Sequence, residues 1–186
     1  MNPVILLDVD GVLNPLARPD RGGDRPTLKL SDAKATLVRR LASCGRIAWV
    51  STWPADLTNG LEAQLQLEVD PLRVTLTVRG SDDDEPTPKL RSVTRWLARM
   101  ESSGDADWDS VVWIDDVLGP DARAWADGYS KPVLLEKPLW NEGLTEAHVI
   151  KVEMFGDNGS EPECKVANEM RGPSSSMLGE SRRRTL

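Results

Sequence analysis

The chain has 186 residues, of which 23 are basic and 30 acidic for a net charge of −7, and 39% are hydrophobic. That length fits one domain of roughly 100–150 residues plus a tail, and the acidic balance excludes a protein that coats duplex nucleic acid by broad electrostatics. Two cysteines (Cys44, Cys164) and one histidine exclude a disulfide framework and an ordinary zinc site, so any metal must be held by oxygen.

Pro3–Val9 (PVILLDV) is a leucine and β-branched run stopped by Gly11, the pattern of a strand buried on both faces. No basic segment precedes it and Asp8 interrupts it, which predicts neither a signal peptide nor a membrane anchor, and a cytoplasmic location. Ser31 is placed to cap a helix through about Ser43, with Leu37, Val38 and Leu41 on one side and Gly45 at its stop. Arg46–Ser51 reads as the second buried strand, Ala55–Leu67 as a helix loosened at Asn59-Gly60, and Leu72–Val78 as an alternating strand. After the acidic loop Ser81–Glu85, Thr87 reads as a cap and Pro88 as the first position of a helix. Leu90, Val93, Leu97 and Met100 share one face of that helix. Ser110–Ile114 is the next buried strand, Ala122–Ala126 a short helix and Pro132–Leu135 another strand, and Thr145 caps a helix reaching about Phe155. Strands alternating with helices predict an α/β fold, a parallel sheet covered on both faces. Residues 1–156 form the predicted domain. From 157 to 186 the text turns to Gly, Ser, Pro and Glu, ending near Arg182-Arg183-Arg184, which predicts a poorly ordered tail.

Ligands of such sheets bind outside the carboxyl ends of the strands, so the residues delivered there carry the chemistry. They are Asp8 and Asp10 from the first strand, Ser51 and Thr52 from the second, and Asp115 and Asp116 from Ser110–Ile114, with Lys89 opening the preceding helix. An all-oxygen carboxylate set suits Mg²⁺, while a hydroxyl and an ammonium suit phosphoryl oxygens. Trp49, Trp96 and Trp113 fall in apolar patterns and are expected in the core. Trp53 has two readings, stacking on a base or packing against the following helix. Arg18, Arg21 and Arg25 likewise have two, a solvated loop or a grip on backbone phosphates. Solvated positions are expected for Asp82, Asp83, Asp84 and Glu85 and for Arg91, Arg95 and Arg99, and a structural role for His148.

The run Asp8-Val9-Asp10-Gly11-Val12-Leu13-Asn14 resembles the DxDG(V/T) signature of the haloacid dehalogenase (HAD) superfamily, with Ser51 or Thr52, Lys89 and Asp115-Asp116 following in that family's order. The resemblance covers roughly residues 4–155. Trp49-Val50-Ser51-Thr52-Trp53-Pro54 and Val112-Trp113-Ile114-Asp115-Asp116, with Trp125 downstream, are also similar to the small capless members associated with RNA repair and polynucleotide 3′-phosphatases. The resemblance implies a three-layer Rossmann-like fold and a two-step phosphotransfer. In it Asp8 is the nucleophile forming an aspartyl-phosphate, and Asp10 protonates the leaving oxygen and then activates water. Ser51, preferred to Thr52, holds a phosphoryl oxygen, and Lys89 neutralises Asp8 and the phosphate. Asp8, Asp115, Asp116 and the backbone carbonyl of Asp10 bind Mg²⁺. Gly11 turns the chain away from the site at once, and Gly11, Asn14, Arg18, Thr52 and Trp53 are the expected substrate contacts.

Asp10 and Ser51 are 41 residues apart and 36 residues lie between Thr52 and Lys89, so no large cap domain fits. An open site reaches phosphates on large substrates, nucleic-acid ends among them. A small-molecule phosphatase such as a nucleotidase, or a catalytically silent module of the same fold, are the alternatives. A two-component receiver domain is excluded by motif order, because here a second acid pair follows Lys89.

Overall fold

The computed structural model describes residues 1–15, 28–77 and 85–157. The expected Arg18, Arg21 and Arg25 contacts, most of the acidic loop at 81–85, and the tail beyond residue 157 lie outside the described residues. Five strands, β1 (Pro3–Leu7), β2 (Arg46–Trp49), β3 (Leu72–Arg73), β4 (Ser110–Ile114) and β5 (Val133–Glu136), form one parallel sheet in the order β3-β2-β1-β4-β5. Five helices connect and follow them: α1 (Asp32–Cys44), α2 (Ala55–Leu65), α3 (Leu90–Ser103), α4 (Pro120–Gly128) and α5 (Glu146–Asp157). This is a Rossmann-like α/β domain with no large cap.

Alternation along the central strands divides the core in two. Ile5, Leu7, Ile47, Trp49, Val112 and Ile114 pack with α1, α2 and α5, through Val38, Leu41, Leu61 and Val149. Val4, Leu6, Ala48, Val111 and Trp113 face the other way onto α3 and α4, through Val93, Leu97 and Ala122. Trp96 stacks on Trp108 there at 5.6 Å, and Trp125 meets Trp113 edge-on at 6.0 Å. The tryptophans expected in the core are therefore in it.

Ser31 caps α1 as expected, its hydroxyl accepting from the Lys34 amide at 3.2 Å. Thr145 and His148 close the start of α5, the Thr145 amide donating to His148 Nδ1 at 3.1 Å. His148 is thus structural, with Nδ1 held as an acceptor; burial moves its pKa down. Three local expectations give way to tertiary contacts. α2 runs unbroken through Asn59-Gly60. Of the expected strand's described residues, only Leu72–Arg73 form a strand beside β2, and the Val74 amide adds one bond to the Trp49 carbonyl. Lys89, not Thr87, stands before the first residue of α3, because the Thr87 hydroxyl is taken by Asp121 and the Gly119 amide.

The order of strands sets the position of the site. The chain moves outward from β1 through β2 to β3 and then crosses to β4 on the opposite side of β1. The carboxyl ends of β1 and β4 flank that reversal, where α/β sheets open a crevice.

Candidate active site

β1 ends at Leu7, so the next residue, Asp8, leaves the sheet still anchored, its amide donating to the Ile114 carbonyl at 3.1 Å. β4 ends at Ile114 and delivers Asp115 and Asp116 beside it. Asp8 is 4% exposed and Asp115 1%. Lys89 Nζ lies 2.5 Å from Asp8 Oδ2 and 3.0 Å from Asp115 Oδ2, bridging the two strand ends. The remaining oxygens are held by backbone: Asp8 Oδ1 accepts from the Val9 amide at 2.8 Å and Asp115 Oδ1 from the Val117 amide at 2.9 Å.

Charge is unbalanced at this point. Burial, reinforced by the Asp115 charge, pushes the Asp8 carboxyl up to about 8, although Lys89 and the Val9 amide pull the other way. Asp116 is also raised, by burial and then by Asp115. Burial alone would lower the Lys89 pKa, but the charges of Asp115 and Asp8 raise it, so the ammonium stays charged. Asp8, Asp115 and Asp116 each offer a carboxylate oxygen, all within 4.8 Å of one another. The three carboxylates are an all-oxygen donor set that fits a hard divalent cation such as Mg²⁺.

Gly11 is required for this geometry. Its φ is +74°, and a Cβ there would stand 2.3 Å from Asp116 Cγ, so a side chain would displace one carboxylate of the cluster. The loop it opens folds over the Val9 carbonyl, which accepts from the Leu13 amide at 2.8 Å and the Asn14 amide at 2.9 Å.

Asp10 stands apart from the three-carboxylate cluster. Its Oδ2 accepts from Trp53 Nε1 at 2.8 Å, and Asn14 Nδ2 approaches its Oδ1 at 3.4 Å. Ser51 is half-buried at the end of β2, its Oγ accepting from the Trp53 amide at 3.3 Å, whereas Thr52 is exposed. Trp53 departs from the stacking expectation. It is 8% exposed and belongs to the core with Leu13, Leu30 and Leu61, so no ring face is open to a base. The packing reading is the one the geometry fits, since burying the large indole removes apolar surface from water.

Sequence reasoning missed the clamp that sets Lys89. The buried Thr87 amide and hydroxyl donate to Asp121 Oδ2 and Oδ1 at 3.1 and 2.6 Å, and its Oγ accepts from the Gly119 amide at 2.7 Å. The loop carrying Lys89 is thereby tied to the turn that follows Asp115 and Asp116. Gly119-Pro120-Asp121, a helix start with an acid in its first turn, was the available signal.

A protein-family model described as the HAD domain in Swiss Army Knife RNA repair proteins matches residues 4–149. No curated protein and no solved structure gives a significant match. Among the described residues no helix is long and apolar enough to cross a membrane.

Proposed function

The chain belongs to the HAD domains of Swiss Army Knife RNA repair proteins, and from that premise we propose that it is a Mg²⁺-dependent phosphomonoester hydrolase acting on nucleic-acid 3′-phosphate ends. The observation that carries the reading is Lys89 Nζ between Asp8 and Asp115, 2.5 and 3.0 Å away, beside Asp116. One nucleophilic oxygen, one fixed cation and a surplus of carboxylates are what transfer of a dianionic phosphoryl group asks of a site.

In the first step an Asp8 oxygen forms a bond to phosphorus as the ester P–O bond breaks, and Asp10 gives its proton to the departing oxygen. In the second, Asp10 takes a proton from water as the water oxygen attacks phosphorus, releasing Asp8 and inorganic phosphate. Lys89 offsets the charge on Asp8 and on the phosphoryl oxygens throughout, and the Ser51 hydroxyl donates to one of those oxygens. Asp8, Asp115 and Asp116, with the Asp10 backbone carbonyl, would hold Mg²⁺, which supplies further neutralisation of the phosphoryl charge.

Membership in a family of RNA repair proteins and the lack of a large cap support nucleic-acid ends as substrate. The net charge of −7 favours a second reading, a nucleotidase that takes free mononucleotides and needs no extended basic surface. A panel of 3′- and 5′-phosphorylated oligoribonucleotides, 3′- and 5′-mononucleotides and an aryl phosphate, assayed for phosphate release with Mg²⁺, decides between them. Highest kcat/KM on 3′-phosphorylated oligonucleotides supports repair of ends. Equal or better turnover of mononucleotides supports the nucleotidase, and no release from any substrate overturns both.

A further inference from the structure

We propose that Trp53 is a positioning residue that locks the acid–base carboxyl of Asp10 to the core and assigns its working proton to Oδ1. The inference rests on the phosphatase reading above. It starts from a contact that neither the motif pattern nor the family match supplies, the 2.8 Å bond from the Trp53 indole N–H to Asp10 Oδ2. Indole nitrogen is a donor only. Oδ2 must therefore remain an acceptor, and when Asp10 carries the proton destined for the leaving group, that proton sits on Oδ1. The 3.4 Å approach of Asn14 Nδ2 to Oδ1 is too long to compete strongly for that oxygen.

The bond is not a routine consequence of burying tryptophan. Buried tryptophans differ here: Trp49 Nε1 donates to Glu62 Oε1 at 2.8 Å, as Trp53 does to Asp10, whereas the Nε1 atoms of the buried Trp108 and Trp113 have no hydrogen-bond partner among the described residues. Of the two indoles that reach a carboxylate, Trp49 meets Glu62 on α2, and Trp53 meets the carboxylate that belongs to the reacting pair. The same residue donates its backbone N–H to Ser51 Oγ at 3.3 Å. With one lone pair occupied by that amide, the Ser51 hydroxyl proton is left for an acceptor elsewhere, the phosphoryl oxygen in the proposed reaction. One core-anchored residue thus sets the acid from β1 and the hydroxyl from β2 relative to each other. An aspartate free to rotate about two torsions would lose that setting, and misorientation of an acid–base group costs rate without any lost contact to substrate.

Trp53→Phe tests this, because it keeps an aromatic ring and the backbone amide and deletes the indole donor; the ring volume it also removes from the core would slow turnover of both esters alike, which is why two esters are compared. First-turnover rates are measured with Mg²⁺ on an alkyl phosphate, whose leaving oxygen needs a proton, and on an activated aryl phosphate, whose leaving group departs without one. The expected result is a loss of about tenfold or more on the alkyl ester and of no more than about twofold on the aryl ester. Equal losses on both would mean that Trp53 serves only the fold, and an unchanged alkyl rate would mean that its N–H does nothing; either overturns the proposal. Wild-type protein inactive on both esters would instead remove the phosphatase reading itself. Should the variant not fold, the assigned Trp53 Nε1–H resonance decides in the otherwise wild-type chain. It is expected to move upfield and exchange faster in Asp10→Ala, and a resonance that stays put overturns the bond.

Discussion

Two neighbouring strands end on buried carboxylates, and the two endings differ in how the charge is met. Glu136, the last residue of β5, is 6% exposed; both its oxygens accept from Lys151 Nζ, at 3.0 and 2.8 Å, with His148 Nε2 4.0 Å away. One acid has one ammonium, and the pair is closed. At the end of β1 and β4, Asp8, Asp115 and Asp116 share Lys89 alone among the described residues. Burying ions costs several kcal/mol each unless partners offset it, so the second arrangement is tolerable only where something else gains from it. A buried acid is therefore a weak pointer to function, and an uncompensated surplus of acids is a strong one.

The largest expected effect breaks the surplus at its nucleophile. Asp8→Asn should abolish phosphate release while the thermal midpoint holds or rises, since an amide cannot attack phosphorus and replaces one of three crowded carboxyls with a group that never ionises. Turnover near the wild-type rate in that variant would remove the mechanism. Lys89→Met comes next. Loss of the cation that bridges Asp8 and Asp115 should lower kcat by about 10²-fold or more, the scale seen when a single preorganised electrostatic partner is deleted. It should also destabilise the metal-free protein, because three carboxylates then face each other with no ammonium. A stable, active Lys89→Met would show that the bridge is incidental.

A smaller effect comes from the proton on Asp8. Its pKa stands at about 8 against an ordinary 3.8 when no cation is present. Below about pH 8 a divalent cation must displace that proton, so apparent Mg²⁺ affinity should climb by up to about tenfold per pH unit and level off above about 8. The folded state holds the proton that the unfolded chain has already lost. Metal-free stability from this group is thus complete below pH 3.8 and drains away as the pH rises through about 8. Lys89 does not confuse the window, because its raised pKa acts only above the ordinary lysine value of 10.5. Calorimetric Mg²⁺ titrations at pH 6, 7, 8 and 9 (about one decade of proton concentration apart) read the slope directly. A flat profile would mean that Asp8 is already ionised in the metal-free site.

The central strands and the residues at their ends were legible because burial on both faces leaves an unbroken apolar run, and the first polar residue after it marks the edge of the sheet. Asp8, Ser51 and Asp115 were found that way. What the sequence hid was set by partners remote in the chain. Thr87 and Pro88 form a good local helix start, but Asp121 and Gly119, more than thirty residues on, claim the threonine hydroxyl. Leu72–Val78 alternates as a strand should, yet among its described residues the strand spans only Leu72–Arg73, with the Val74 amide adding one last bond to the Trp49 carbonyl. Trp53 follows two hydroxyl residues in a connecting segment, and nothing in that spacing tells a ring turned into the core from one turned out to a ligand.

The smallest effect tests the balanced end of the comparison. Lys151→Met removes the cation from Glu136 and leaves a buried carboxylate with His148 as its nearest base. Because the Lys151 side chain is 57% exposed, the pair lies between a surface ion pair and a fully buried one, and the expected loss is about 1–2 kcal/mol in urea unfolding. Activity should not change: Glu136 meets the site only through its backbone, whose carbonyl accepts from the Asp115 amide at 3.2 Å as part of the sheet's pairing. A fall in kcat matching that of Lys89→Met would show that the two carboxylate groups act as one electrostatic unit. An unchanged kcat beside the lowered stability would confine the chemistry to the end where acids outnumber bases.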